Sequence, residues 1–312
     1  MKNIAILDTS ICSSNLGDQI IMDAVEKHLN HLFNGDFYIK ISTHDVISKS
    51  SYKWIQNSDY AMVGGTNLLS SNMNYYNQWK INLIDSFFIK NIILMGVGWW
   101  QYQEKPNLYT QLLYHRILHK NYLHSVRDEY TKKQLESIGF KNVINTACPT
   151  MWGLTEEHCA DIPRKKTDSV LVTFTEYNQK KEADIKLIEI LKDNYKNIYF
   201  WIQQPKDYDY MYNIYGNQVI YVKPSLQALD EVLKIELDYI GTRLHAGIRA
   251  LQHKKRSLIL AVDNRAIEIS KTTNLPVLQR NDWEGIKTWI KSDRATPIQL
   301  PWDNINQWKQ QF

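Results

Sequence analysis

The stretch that decides the fold is Asp238-Tyr-Ile-Gly-Thr-Arg-Leu-His-Ala-Gly-Ile-Arg249. It has the pattern of a buried strand that ends at Gly241, makes a tight turn and enters a helix. Arg243 and His245 stand in the turn, where the free N–H groups of a helix N-terminus favour an anion. A guanidinium can bind carboxylate or phosphate through two parallel hydrogen bonds, and an imidazole exchanges protons near neutral pH. The turn therefore indicates either a site for an anionic substrate or an ordinary connection with a solvated arginine and a packed histidine.

Short apolar strands alternate with amphipathic helices on both sides of this stretch. Helices are predicted over 15–33, 108–122, 129–138, 180–195, 226–235, 245–253 and 265–272. The alternation predicts an α/β protein with two Rossmann-like, doubly wound domains that face each other across a cleft, a GT-B-like architecture.

The polar, patternless segment 155–168 marks the expected domain boundary. We assign residues 1–154 to an N-terminal Rossmann-like domain, which is expected to hold the acceptor. Residues 155–300 form a C-terminal Rossmann-like domain with the Arg-Leu-His motif, which is expected to hold the donor. The aromatic, amphipathic segment 301–312 is expected to pack back across the domains.

The composition is that of a globular protein, with 44% hydrophobic and 22% charged residues. A net charge of +4 is too small to indicate nucleic acid binding by itself. The 19 Tyr and 10 Trp either form platforms for sugars or fill the core. The three cysteines form no CxxC pair, and the longest apolar run, 92–100, is too short to span a membrane. We therefore expect a cytoplasmic protein that at most contacts the inner face of the cytoplasmic membrane.

Several other motifs follow predicted strands or open predicted helices. No GxGxxG opens the first helix and no GxxxxGK[ST] is present, so neither a nicotinamide nor a P-loop site is indicated. His115 and His119 share a helix face but have no nearby carboxylate, so no metal site is expected. The motifs that remain are Asn15-Leu-Gly17-Asp18, Gly64-Gly65-Thr66-Asn67 and Arg127-Asp128.

In chain order, these motifs resemble those of the polysaccharide pyruvyl transferases. That family has Asn-x-Gly-Asp near the N-terminus, a glycine cluster after a strand, Arg-Asp before a helix, and Arg-x-His in the second half. A basic residue follows the histidine by about twenty positions. The matching residues here are Asn15, Gly17, Asp18, Gly64, Gly65, Arg127, Asp128, Arg243, His245 and Arg265.

Three positions depart from the family pattern. Thr66 stands where a third glycine is usual, and Cys148-Pro149 stands where Asp-Pro is common. Arg265 replaces the usual lysine, which keeps the charge but makes a poorer proton donor. These departures bear on the acceptor and on the role of Arg265 more than on the class of reaction.

The resemblance implies transfer of the pyruvyl group of phosphoenolpyruvate to a sugar of a bacterial surface polysaccharide precursor, such as capsule or exopolysaccharide. A cyclic ketal forms, for example a 4,6-linked one, and phosphate is released. The acceptor is free or lipid-linked, and no cofactor is expected besides the donor substrate. His245 is implied as general acid/base, Arg127 and Arg243 as contacts to the anionic groups of the donor, and Arg265 as a contact to phosphate. The other implied substrate-binding residues are Leu244, Gly241, Asn15, Gly17, Asp18, Gly64, Gly65, Thr66 and Asn67.

Two alternatives stay open on the sequence alone. One is a GT-B glycosyltransferase that uses a nucleotide sugar, with Asp263 or Glu268 as the carboxylate for the ribose hydroxyls. The other is a non-catalytic glycan-binding protein on the same fold, which would line its site with aromatic residues and release no phosphate.

Overall fold

The computed structural model describes all 312 residues, and the contacts between them divide the chain into two compact units. The first unit consists of Met1–Ser13, Ile21–Pro149 and Leu300–Phe312. The second consists of Ser14–Ile20 and Thr150–Gln299. The short segment Ser14–Ile20 thus groups with the second unit, although the sequence-based division places it in the first domain. No helix in either unit has the length and apolar character needed to cross a membrane.

The first unit is built on parallel strands covered by helices. Strands β2, β1, β3 and β4 form one sheet in that order, and β5 pairs with β6. A parallel bridge between Val97 and Val126 joins the two sets. The strands are β1 (Asn3–Asp8), β2 (Phe37–Ser42), β3 (Tyr60–Gly64), β4 (Ile92–Met95), β5 (His124–Val126) and β6 (Val143–Asn145). The helices are α1 (Leu16–Leu32), α2 (Lys49–Gln56), α3 (Leu108–Ile117), α4 (Glu129–Glu136) and α12 (Trp302–Lys309).

The second unit holds a six-stranded parallel sheet in the order β12-β11-β10-β7-β8-β9. Its strands are β7 (Ser169–Thr173), β8 (Asn197–Trp201), β9 (Ile220–Val222), β10 (Asp238–Gly241), β11 (Ser257–Ala261) and β12 (Val277–Gln279). Its helices are α5 (Glu156–Ala160), α6 (Lys181–Lys192), α7 (Pro205–Tyr215), α8 (Leu226–Val232), α9 (Leu244–Gln252), α10 (Asn264–Thr273) and α11 (Trp283–Lys291). The chain order reverses between β7 and β10, and sheets of this kind bind ligands outside the carboxyl ends of the strands at that point.

The central strands are short runs of apolar residues because helices cover both faces of each sheet. Every residue of β7, β10 and β11 is buried. Each unit has its own apolar core, one around β1, β3 and β4 and the other around β7, β8 and β10. The predicted α/β class with parallel sheets is therefore confirmed.

Five helices differ from the sequence prediction. The helix predicted over 108–122 ends at Ile117, because Leu118 is extended and bridges Ile92. Segment 156–160, inside the predicted linker, forms α5. Helices α2, α7 and α11 were not predicted, and each contains several residues of modest helix propensity, such as serine, tyrosine, aspartate, threonine or glycine.

The C-terminal segment packs within the first unit. Asn304 Nδ2 donates to the carbonyl of Asn145 at 2.8 Å, and the Gln311 side chain accepts from Leu123 N–H at 2.7 Å. The ring of Phe312 stacks on that of Tyr122, with 5.7 Å between centroids. These contacts attach the end of the chain to β6 and to the segment that directly precedes β5.

Candidate functional site

Four neighbouring strands of the second unit deliver polar residues to one edge of its sheet. The segments that follow β7, β8, β10 and β11 carry the residues of this edge. The carboxyl ends of parallel strands meet at one edge, and here they lie around the point where the chain order reverses. The side chains in question are Tyr177, Gln203, Asp207, Arg243, His245, Asp263 and Arg265.

Arg243 is held in a buried ion pair at the centre of this edge. Its Nη2 donates to both carboxylate oxygens of Asp207, at 2.6 and 2.8 Å, and its Nε donates to the carbonyl of Phe174 at 2.8 Å. Asp207 in turn accepts the N–H groups of Gln203 and Gln204, at 3.2 and 2.9 Å. Both side chains are buried. The orientation of the guanidinium is therefore set by the protein, and its Nη1 group donates to no protein atom.

Arg265 lies nearby, and Tyr177 connects it to Arg243. The Nε of Arg265 donates to Asp263 at 2.9 Å, and its Nη2 donates to the hydroxyl of Tyr177 at 2.7 Å. The guanidinium carbon of Arg243 lies 5.3 Å from the centroid of the same tyrosine ring. Tyr177 is 55% exposed, so this contact is open to solvent. Two arginines, each fixed by a carboxylate, thus meet at one exposed aromatic side chain.

The turn between β10 and α9 adopts the predicted strand-to-helix geometry. Arg243 is the residue that precedes the first turn of α9, and Leu244 and His245 are buried in that turn. Gly241 is required for close packing, since a Cβ there would lie 2.8 Å from the backbone nitrogen of Thr173 on β7. The absence of a side chain at Gly241 therefore serves the pairing of two strands.

The Asn-x-Gly-Asp motif also belongs to the second unit. Asn15 Oδ1 accepts from Gly17 N–H at 3.0 Å and from Gln203 Nε2 at 2.7 Å. Leu16 N–H donates to the carbonyl of Gln203 at 3.2 Å. Asp18 is buried in the first turn of α1. Gln203 lies in the β8–α7 connection and Asp207 in the first turn of α7, so the motif contacts the segment that also holds Arg243.

The glycine cluster lies at the end of β3 in the first unit. A Cβ on Gly64 would lie 2.8 Å from the side chain of Val25, and one on Gly65 would lie 2.1 Å from that of Ile21. Packing against α1 therefore accounts for both glycines. Thr66 has a positive φ of 49°, a conformation that is strained for a β-branched residue and explains why glycine suits this position.

Arg127 occupies the corresponding edge of the first unit, at the end of β5. Its Nη2 donates to Asn67 Oδ1, and its Nε donates to Asp128 Oδ2 at 3.2 Å. Asp128 also caps α4, as predicted, by accepting from Thr131 N–H at 2.7 Å. A Cβ on Gly98 would lie 2.2 Å from the Arg127 guanidinium, so the glycine makes room for the arginine. Asn67 and Arg127, both predicted as site residues, are therefore direct partners.

Three residues of the edge were missed from the sequence: Tyr177, Gln203 and Asp207. Asp207 could have been found, because Pro205 two residues earlier and an acidic residue in the first turn are typical of a helix start. Gln203 lies 188 residues from its partner Asn15, and no local pattern predicts such a contact. Tyr177 is one of 19 tyrosines and carries no distinguishing signal.

Solved structures at low identity have the same fold. UDP-GlcNAc 2-epimerase of Methanocaldococcus jannaschii, in complex with UDP-GlcNAc and UDP, is 14% identical with a TM-score of 0.58, over 99% of this chain and 98% of that one. S. aureus MnaA with UDP is 14% identical with a TM-score of 0.56, over 95% and 92%. The Neisseria meningitidis UDP-GlcNAc 2-epimerase is 12% identical with a TM-score of 0.52, over 99% and 98%. These similarities confirm the predicted GT-B-like fold class.

A search of curated proteins found no match. The family model for polysaccharide pyruvyl transferase matches residues 15–264, which include the Asn-x-Gly-Asp motif, Arg127, Arg243 and His245. The match covers well over half of the chain. The chain therefore belongs to the polysaccharide pyruvyl transferase family, a family of transferases.

Proposed function

We propose that this transferase takes its pyruvyl group from phosphoenolpyruvate and builds a cyclic ketal on two hydroxyls of a sugar, with release of phosphate. The sugar belongs to a precursor of a bacterial surface polysaccharide, such as capsule or exopolysaccharide, and is free or lipid-linked. The reaction takes place in the cytoplasm, at the inner face of the cytoplasmic membrane. Membership of the family supports pyruvyl transfer and a sugar acceptor, and the donor, the ketal and the location are our proposal.

The pair of fixed guanidiniums at Tyr177 is the observation that carries the proposal. Phosphoenolpyruvate has a carboxylate and a phosphate, and each is suited to a charge-assisted contact with an arginine. Arg243 and Arg265 are each held by a carboxylate, which leaves the Nη1 group of each for a ligand. Donors that are already oriented lose little freedom on binding and stabilise charge that develops in the transition state. We assign Arg243 and Arg265 to the two anionic groups of the donor. This differs from the contact that the resemblance implies for Arg127, which belongs to the first unit.

The reaction needs one group that moves protons. A proton added to the methylene carbon of phosphoenolpyruvate makes C2 electrophilic, and two sugar oxygens then bond to C2 as its bond to the phosphate oxygen breaks. The two hydroxyl protons end on the new methyl group and on phosphate, so the atoms balance without water or a cofactor. His245 is assigned to this transfer, because histidine side chains ordinarily exchange protons near neutral pH and because it lies in the first turn of α9, two residues after Arg243.

Ligand-induced thermal stabilisation tests the choice of donor. A ligand at about a hundred times its Kd adds roughly 2.7 kcal/mol to the stability of the fold that binds it. Phosphoenolpyruvate should raise the Tm of the wild type, and UDP-sugars should not. Arg265→Ala should lose the effect, because it removes one anion contact.

Arg249→Ala is the matched control for that variant. It also breaks an Arg–Asp pair in the second unit, with Asp230 at 2.8 Å, but at the far end of α9. It should therefore keep the response to phosphoenolpyruvate. Stabilisation by a UDP-sugar and none by phosphoenolpyruvate would instead establish the glycosyltransferase alternative.

A further inference from the structure

Five large apolar side chains are exposed on one face of the first unit. Three of them lie in segment 84–88, which precedes β4, and two lie on α3. Their exposed fractions are 70% for Ile84, 63% for Phe87, 44% for Phe88, 82% for Leu108 and 45% for Leu112. We call this set the apolar face. Exposed apolar residues are common singly, but a contiguous group of this size indicates an interaction surface.

Contacts between α3 and segment 82–88 show that the apolar face is continuous. The Tyr109 hydroxyl accepts from Leu83 N–H at 3.2 Å, and the Arg116 guanidinium lies 4.5 Å from the centroid of the Phe87 ring. Tyr109 and Arg116 are two helical turns apart, and Leu112 lies between them on the same side of α3. Leu108, four residues before Leu112, extends the same stripe.

Two basic side chains and one exposed carboxylate lie beside the apolar face. Arg116 covers Phe87, and α3 contains no acidic residue. Lys90 and Asp59 line a cavity of about 330 Å³ beside Phe87 and Phe88. The Asp59 carboxylate accepts from the backbone of Asn3 at 2.7 Å, and Asp85 is buried, where it accepts from Tyr52. A partner at this face would therefore meet the cations of Lys90 and Arg116 and the exposed carboxylate of Asp59, which leaves a net positive charge.

We propose that the apolar face docks on a bilayer that contains anionic lipids. The phenyl and isobutyl groups enter the interface between headgroups and acyl chains, while Arg116 and Lys90 contact lipid phosphates. Charge complementarity favours this partner over a second copy of the chain, because two copies would bring Arg116 and Lys90 of each into proximity. The proposal rests on the proposed function, because an enzyme that acts on a lipid-linked acceptor must reach the membrane surface.

Binding to vesicles tests the proposal without any donor or acceptor, so its result is independent of the chemistry. The wild type should sediment with vesicles of phosphatidylcholine and phosphatidylglycerol, and bind phosphatidylcholine alone much less. Added salt should weaken the binding, because the basic contacts are screened. The double variant Phe87→Ser/Leu112→Ser should have an affinity for these vesicles that is lower by about tenfold or more, since two apolar side chains are lost from the interface.

The control is Ile220→Ser/Ile235→Ser, which removes two apolar side chains of the second unit that are 49% and 42% exposed. This variant should bind vesicles as the wild type does. Equal binding by both double variants, or no binding by the wild type, would refute the proposal. A dimer in sedimentation velocity that Phe87→Ser/Leu112→Ser dissociates would assign the face to a second copy instead. Thermal unfolding followed by circular dichroism checks that every variant is folded at the temperature of the binding measurement.

Discussion

Arg243 shows how a single residue can combine a structural and a functional role. Its ion pair with Asp207 is buried, so the charges are removed from water and their attraction is weakly screened. The pair also supports α7, because the same carboxylate accepts the N–H groups of Gln203 and Gln204. From the sequence alone, Arg243→Ala is expected to weaken donor binding and leave the fold intact. The buried pair leads to a different expectation for stability, since the variant would leave a buried carboxylate without its cation.

We predict that Arg243→Ala lowers the free energy of unfolding by about 3–5 kcal/mol, the cost of breaking a buried ion pair. Arg243→Ala/Asp207→Ala should lose less than the sum of the two single losses, because it leaves no buried charge unpaired. Urea unfolding of the four proteins measures both quantities. Strict additivity would mean that the two side chains do not stabilise each other. Arg265→Ala, whose ion pair is partly exposed, is the better variant for donor affinity.

A second prediction at this scale concerns proton transfer. His245→Gln keeps a hydrogen-bonding side chain of similar length but cannot exchange protons near neutral pH. Turnover should fall by roughly a hundredfold or more, while the affinity for phosphoenolpyruvate changes little, because the arginines make the anionic contacts. The rate of the wild type should depend on pH in the histidine range, and the residual rate of the variant should not. Near-normal turnover by His245→Gln would show that the imidazole only positions the substrate.

Among the elements, the junction of β4 and β5 depends on a histidine that must stay neutral. Leu94 N–H on β4 donates to Nδ1 of His124 on β5 at 3.2 Å, and the Nε2 of His124 lies 2.9 Å from the carbonyl of His119. One nitrogen thus accepts and the other donates. A second proton would face the N–H of Leu94, and burial lowers the pKa of His124 to about 4.

This arrangement predicts a loss of stability in acid. Between pH 6.5, the ordinary histidine pKa, and pH 4, the unfolded chain binds a proton that the folded chain does not. Stability therefore falls as the pH decreases through this window, by about 2 kcal/mol from His124 between pH 7 and 5. His124→Asn keeps an acceptor near Leu94 and removes the titration, so its unfolding free energy should vary less with pH. Parallel pH profiles for the two proteins would contradict this role of His124.

The strands and helices differ in how well the sequence predicts them. Strands such as β7 and β11 are predicted because their central residues are apolar, and α4 because Asp128 and Gly139 mark its ends. Helix α7 is missed because its tyrosines and aspartates are weak helix formers, although Pro205 marks its start. The contact of Asn15 with Gln203 and that of Arg243 with Asp207 are set by tertiary packing, so a local pattern could not predict them.

At the scale of the whole molecule, the motifs of the family are distributed over both compact units. Each unit consists of segments that are not contiguous in sequence. The motif at Asn15 groups with the second unit, although the residues from Ile21 onward belong to the first. In the second unit, the motif, the β8–α7 connection and the turn after β10 are linked by hydrogen bonds through Gln203 and Asp207. Motifs that are far apart in the sequence thus form one connected set. The likeness of the fold to nucleotide-sugar enzymes does not decide the donor, which leaves the reaction itself as the direct test.

That test is incubation of the purified protein with phosphoenolpyruvate and a panel of galactosides, glucosides and mannosides, with the product followed by mass and phosphate release measured in parallel. We predict that at least one acceptor gains the mass of pyruvic acid less one water, with one phosphate released for each ketal formed. His245→Gln should lose both signals together. Transfer of a sugar from a UDP-sugar to the same acceptors, with no phosphate released from phosphoenolpyruvate, would contradict the proposed donor and reaction.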